Sequence, residues 1–430
     1  MSEITHKIYG KGTVISQRYG GFELKIKFDT GITRWIRFND ILDPNSVASK
    51  KEIIIKPTVP LSTKQFDARQ VIESLRMGVV PFKAIQHFTV GRDKEISQIQ
   101  KWLSNKNKSS TMFVRGEYGS GKSHLLEFIR LMALNDGWAV SLVEVGLEEN
   151  PFYKPYMIYR EMVKKFKVKI NENELNFISF LKMAIENNDS DMMDTHLFFG
   201  HLKSLLESNE EEEKVWEWIE GNYDWYRPKL YRMGTASNIY CYLINGISKI
   251  AKELLGLKGF LILFDEAEFI NESDYSYQLG KGKTFLKALT YLSNDKRSLV
   301  DEKISRLKFG RTSGLQYCGL PRFNPIRFAW ELPSNLKIVF AMTPIDGFPG
   351  QTVELEVLKK SDLKLIVHNI IQYYKIAYSV EFFNLDIDSF FEKLPKEKTR
   401  KFIKQVIEIL DIKRFYPQKN IKELLETYFE

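Results

Sequence analysis

Within "RGEYGSGKSH" at positions 115–124, Gly116, Gly121, Lys122 and Ser123 satisfy the spacing G-x-x-x-x-G-K-[ST]. These residue types suit a phosphate cradle. Glycines let the backbone curl with its N–H groups toward a phosphate and no Cβ in the way. A helix that opens at the end of the loop adds the positive end of its dipole. The run Gly116, Glu117, Tyr118, Gly119, Ser120, Gly121, Lys122, Ser123 and His124 is therefore the expected nucleotide loop. Lys122 reaches the β- and γ-phosphates of ATP, and the Ser123 hydroxyl holds Mg2+. A second acid site follows in "LILFDEAE". Asp265 is placed to hold Mg2+ through water, and Glu266 to orient and deprotonate an attacking water. A loop that only binds nucleotide, or passes phosphate to a substrate, does not need Glu266.

These residues need a sheet and a helix to hold them. "STMFVRG" is a β-rich apolar run leading straight into the loop, and "KSHLLEFIRLMALNDG" reads as a helix with a glycine at its end. "WAVSLVEV" (138–145) is a second strand of the buried type, so the loop sits inside a βαβ unit and predicts a parallel sheet. "GFLILF" (259–264) and "LKIVFAM" (336–342) are two more such strands. The last ends at Thr343, where ATPases with a strand inserted between the two motifs carry a polar residue near the γ-phosphate.

The flanks differ in pattern. "FELKIKF" (22–28) alternates strictly, the turn "DTG" follows, and "ITRWIRF" resumes strand character, so a small closed barrel is expected over 1–48. Residues 49–62 read as a linker. "STKQFDARQVIESLRMG" has helical spacing at Phe66, Val71, Ile72 and Leu75, with Gly78 as the stop. An ATPase core over 63–355 contains a mostly helical insertion at about 151–257, and 356–430 is helical again. In the insertion, "ESNEEEEK" (207–214) is read as a solvated loop or helix end, and "WEWIEGNYDWY" as core rather than a base-stacking platform.

The chain resembles the AAA+ ATPases, and within them the branch shared by origin-recognition and STAND proteins. "FTVGRDKE" (88–95) is similar to that branch's N-terminal box, which implies that Val90 and Gly91 pack by the adenine. More narrowly, "RQVIESLRMGVVP", "FTVGRDKEISQIQKWL", "VRGEYGSGKSHLLEFIRLMALNDGWAVSLVEV", "WEWIEGNY", "GFLILFDEAE" and "LEVLKKSDLKLIVHNIIQYYKIAY" resemble the ATP-binding proteins of BREX-type phage-defence systems. The resemblance implies an α/β AAA+ P-loop NTPase with a helical lid. It puts Arg400, in "KTRKFIKQVIEILD", where a lid arginine touches the γ-phosphate. A finger arginine is open among Arg311, Arg322 and Arg327, all of which precede the Thr343 strand. "HKIYGKGTVIS" and "LKIKFDTGITRWIRFNDIL" resemble a Tudor or SH3-like module, which implies protein docking or nucleic-acid contact.

The resemblance and the site together imply a Mg2+-dependent ATPase. Its cycle would drive an assembly switch or motor in antiviral defence or DNA maintenance, as a homo-oligomer or with a defence or helicase subunit. A nucleotide-gated scaffold with slow hydrolysis and a DNA translocase are the rivals, the second weakened by the absence of further helicase motifs. The formal net charge of +8 suits an acidic partner such as DNA. Cys241 and Cys318 lack metal-ligand spacing, the N-terminus has no apolar signal region, and no apolar run approaches the ~20 residues of a membrane helix. A cytoplasmic protein without membrane contact is the expectation.

Overall fold

The computed structural model describes residues 3–6, 10–18, 23–37, 63–105, 109–171, 173–187, 191–208, 210–222, 226, 230, 237–272, 275–301, 315, 326–343, 348–380, 391 and 399–418. It divides into two units, Met1–Ser62 and Thr63–Glu430.

The first unit is an antiparallel meander of β1 (Glu3–His6), β2 (Gly10–Arg18), β3 (Glu23–Phe28) and β4 (Thr33–Arg37), in that spatial order. The alternation read in the sequence buries Leu24, Ile26 and Phe28 with Ile4 and Ile36. Gly31, at φ +83°, closes the turn between β3 and β4, and its N–H donates to Phe28 O at 2.9 Å. Among the described residues β1 and β4 are edges of an open sheet. The expected closure into a barrel is not seen there, and 38–62 lie outside the described residues.

The second unit opens with α1 (Thr63–Met77), the short α2 (Ile85–Phe88) and α3 (Asp93–Ser104). β5 (Thr111–Arg115), α4 (Lys122–Asn135) and β6 (Ala139–Glu144) follow. The insertion then runs α5 (Pro155–Lys164), β7 (Val168–Ile170), β8 (Asn173–Leu175), α6 (Phe177–Glu186), α7 (Leu197–Leu206), α8 (Glu212–Ile219) and α9 (Ser237–Glu253). β9 (Phe260–Asp265), α10 (Ser276–Ser293), α11 (Ser298–Asp301), β10 (Leu336–Ala341), β11 (Gln351–Glu354), α12 (Lys360–Tyr378) and α13 (Thr399–Phe415) complete it.

Five strands form one parallel sheet in the order β11-β5-β10-β9-β6. β10 thus lies between the strand that feeds the glycine loop and the strand that ends in Asp265. Both faces of the sheet are covered, which is why its strands read as unbroken apolar runs. Phe260, Ile262 and Phe264 face one cluster with the helical insertion, while Leu261 and Leu263 face a second cluster with α3 and α4. Tryptophans Trp216 and Trp218 are buried in the first cluster, as their core reading requires. The acidic run ends in the first turn of α8.

A third cluster joins α1 to α12 and α13 through Val71, Ile72, Leu75, Ile370, Tyr374, Phe402 and Val406. The first helix of the unit therefore packs with the last two described helices. Phe66, expected on the apolar face of α1, is instead 49% exposed, because it lies off the stripe that Ala68, Val71, Ile72 and Leu75 turn toward α12. No described helix is long and apolar enough to cross a membrane. Cys241 is a buried free thiol, and Cys318 lies outside the described residues.

Candidate functional site

The loop between β5 and α4 opens onto a cleft at the carboxyl ends of the strands, the place where parallel α/β sheets bind ligands. Gly119 and Gly121 have φ of +82° and +99°, and Gly121 is the residue from which α4 starts. A Cβ on Gly116 would lie 2.6 Å from Ser120 Oγ, so the loop folds tightly on itself there. Residues Gly119 to His124 line the cleft with the N-terminal N–H groups of α4, which have no partner inside the helix. Lys122 donates from Nζ to the Gly116 carbonyl at 2.9 Å and sits 3.2 Å from Glu268 Oε1.

Four carboxylates gather opposite. Glu144, at the end of β6, is the register partner of Asp265. Asp265 Oδ1 accepts the Glu266 N–H at 2.9 Å. Glu266 itself has a left-handed backbone, φ +51°, unusual for a side chain of its size, and it lines the cleft. Burial raises its carboxyl above the ordinary range. Asp265, Glu268 and Glu144 add to that, and Lys122 opposes it. Such a group is a stronger base than an exposed glutamate.

The other wall of the cleft is largely apolar. It comes from Leu75, Val79, Val80, Phe88 and Val90 on one side and Leu358, Ile366 and Ile403 on the other. Gly91 has φ +67°, and a Cβ there would lie 2.5 Å from Asp362 Oδ2, so glycine lets the first turn of α12 approach. His124 Nε2 is 2.8 Å from Thr89 Oγ1, whose proton goes to Ile85 O at 2.7 Å, so Nε2 carries the imidazole proton. Burial, with Arg92 nearby, lowers His124 to about 4, which keeps it neutral.

Most of the residues read from the sequence meet here. Arg400 lines the cleft, with Nη1 3.5 Å from the Tyr118 hydroxyl. Thr343 does not join them: it follows β10, is exposed, and is not part of the cleft wall. Arg327 is exposed and acts on Tyr242 of α9, while Arg311 and Arg322 lie outside the described residues.

Sequence reading missed two side chains that shape the site. Arg92 is buried and donates to Ser120 O at 2.9 Å and Glu356 O at 2.6 Å while pairing with Glu95 at 2.9 Å. It ties the loop to the segment before α12, and its only signal was its place in "FTVGRDKE". Glu268, the last acid of "DEAE", holds the Lys122 ammonium, the group expected to reach the phosphates. Glu268→Gln is therefore expected to tighten ATP binding by about 2- to 5-fold, the range of a partly exposed ion pair. Titration with a fluorescent ATP analogue measures this. Weaker binding in the variant would mean that Glu268 helps rather than competes.

Residues 63–196 match the family model described as BREX system ATP-binding protein BrxC/D. No curated protein and no solved structure matches the chain.

Proposed function

We propose that this chain is a Mg2+-dependent ATPase of the AAA+ type. One observation carries the reading: Glu266 stands in the same cleft as the glycine loop, with its carboxyl raised. Lys122 and the N–H groups of Gly119 to His124 hold the phosphates, and the apolar wall takes the adenine. Glu266 removes a proton from water as its oxygen bonds the γ-phosphorus and the bridge to ADP breaks, which releases ADP and phosphate. Ser123 and Asp265 offer a hydroxyl and a carboxylate, the donor set Mg2+ takes beside phosphates, where it neutralises their charge. Arg400 meets the γ-phosphate from α13, Thr343 is the proposed polar sensor after β10, and an arginine of a neighbouring subunit completes the site.

Phosphate release by the full chain tests the reading, with and without Mg2+ and with and without DNA. No release above that of a Lys122→Ala preparation would favour a nucleotide-gated scaffold. The Lys122–Glu268 pair favours that second reading, because it competes with the phosphates. The match over 63–196 supports a place in phage defence; a helicase or other defence subunit as partner and a cytoplasmic setting are part of the proposal.

We assign the first unit a docking role, as a Tudor or SH3-like module. The lid is 356–430, with 49–62 as linker. The described part of the first unit has its own small core. A chain that begins at Thr63 is expected to keep basal hydrolysis and to lose partner binding. Loss of hydrolysis from a folded truncation would make the first unit part of the catalytic body.

A further inference from the structure

The formal charge of the chain is concentrated in one stretch of the sequence. Residues 275–327 carry eleven Lys and Arg against three Asp and Glu, a net of +8 that equals the net charge of the whole chain. The remainder is neutral in sum. From Tyr275 to Asn294, a stretch that spans α10, there is no acidic residue at all.

α10 buries Phe285, Leu286, Leu289 and Leu292 and turns its other face outward. On that face, rings and ammonium groups interleave. Tyr275 and Tyr277 are 59% and 58% exposed, with ring centroids 5.7 Å apart. Lys281 lies over the Tyr277 ring at 5.2 Å, and Lys287 and Lys296 both lie over Tyr291, at 5.4 and 5.5 Å. Lys283 is exposed beside them. Tyr277, Lys281, Thr284, Lys287 and Tyr291 fall at helical spacing on one stripe, about 21 Å long at 1.5 Å per residue.

We propose that this stripe binds single-stranded DNA. Several cations along one helix match a phosphate chain, and the exposed rings of Tyr275 and Tyr277 beside them match unpaired bases, which stack on aromatics regardless of sequence. A paired duplex keeps its base faces hidden and leaves the tyrosines without a function. An acidic protein would use the lysines alone. Cations and rings read phosphate and base, the two parts single-stranded DNA presents, and they make no use of a ribose hydroxyl. The site is separate from the nucleotide cleft, and the proposal does not rest on hydrolysis.

Fluorescence anisotropy of the full chain with a labelled oligo-dT of roughly 20 nucleotides tests it, without ATP, from about 50 to about 200 mM salt. Saturable, salt-sensitive binding is expected. The triple reversal Lys281→Glu, Lys283→Glu and Lys287→Glu should weaken it and flatten the log–log salt slope by about two, near 0.7 per lost phosphate contact. Lys→Gln at the same three positions should act in the same direction, and it serves if the reversal does not fold. Tyr275→Ala and Tyr277→Ala should each weaken binding by roughly 5- to 150-fold for a base that loses its ring and leave the salt slope unchanged. A control reversal of the exposed Lys164, Lys165 and Lys182 makes the same change in net charge on the insertion and should leave binding close to the parent value. The proposal falls if the parent chain does not bind, or if the control reversal matches the α10 reversal. It also falls if duplex or RNA binds more tightly, or if polyglutamate displaces the strand as well as unlabelled oligonucleotide does.

Discussion

Glu266→Gln is expected to bind ATP as the parent chain does and to turn it over about 10²–10⁴-fold more slowly, the usual worth of a general base. Glutamine keeps the length and shape of the side chain but cannot take a proton. The groups proposed to hold the phosphates, Lys122 and the amides of Gly119 to His124, are untouched. The substitution also removes one charge from the cluster of Asp265, Glu268 and Glu144. A carboxyl raised in the folded chain opposes folding once it ionises, so above its unfolded pKa its neutral replacement should melt no lower than the parent. The same raised carboxyl gives the parent an acid limb in its rate profile, with activity falling as pH drops through a value above the ordinary glutamate range. Phosphate release, nucleotide affinity and thermal midpoint on one preparation decide the matter. Unchanged turnover in a stable variant would remove Glu266 from the reaction. If the cycle drives assembly, the variant should also accumulate a larger species by light scattering in ATP. Lost turnover with no change of size would keep the ATPase and discard the switch.

Lys122→Ala should weaken ATP binding by roughly 100-fold or more. Contacts between an ammonium and phosphate oxygens are the strong kind of hydrogen bond. The loss has a second part in this chain. With the ammonium gone, Glu268 remains at the phosphate site without its counter-charge. Glu268→Gln should therefore improve binding more in the Lys122→Ala background than in the parent chain, a non-additivity a simple cradle would not display. Equilibrium binding of labelled ATP to the four proteins closes the cycle. Retained micromolar affinity in Lys122→Ala would end the assignment of the loop.

What could be read in advance follows from where the information lies. β5, β9 and β10 are buried on both faces, so their apolar runs announce them. The loop and "DEAE" are local in sequence, and so was their chemistry. β11 carries one fully buried side chain, Val353, in a strand of four residues, and β7 and β8 have three residues each; such pieces have too few buried positions for a pattern. Phe66 was misread because spacing alone cannot say which side of a helix the partner takes. Arg92 and Glu268 work through atoms 28 and 146 residues away in sequence, and only the folded chain brings those together.

The packing of α1 against α12 and α13 bears on the order in which the protein is made. Val71, Ile72 and Leu75 are synthesised early, yet the surfaces that cover them begin at Lys360. At roughly 5–20 residues per second, the nascent helix waits on the order of 15–60 s for its cover. During that interval the glycine loop and the acids of β9 have already emerged, whereas the apolar wall from Leu358, Ile366 and Ile403 has not. A chain interrupted before Leu358 thus carries the glycine loop and Asp265 without that side of the cleft wall.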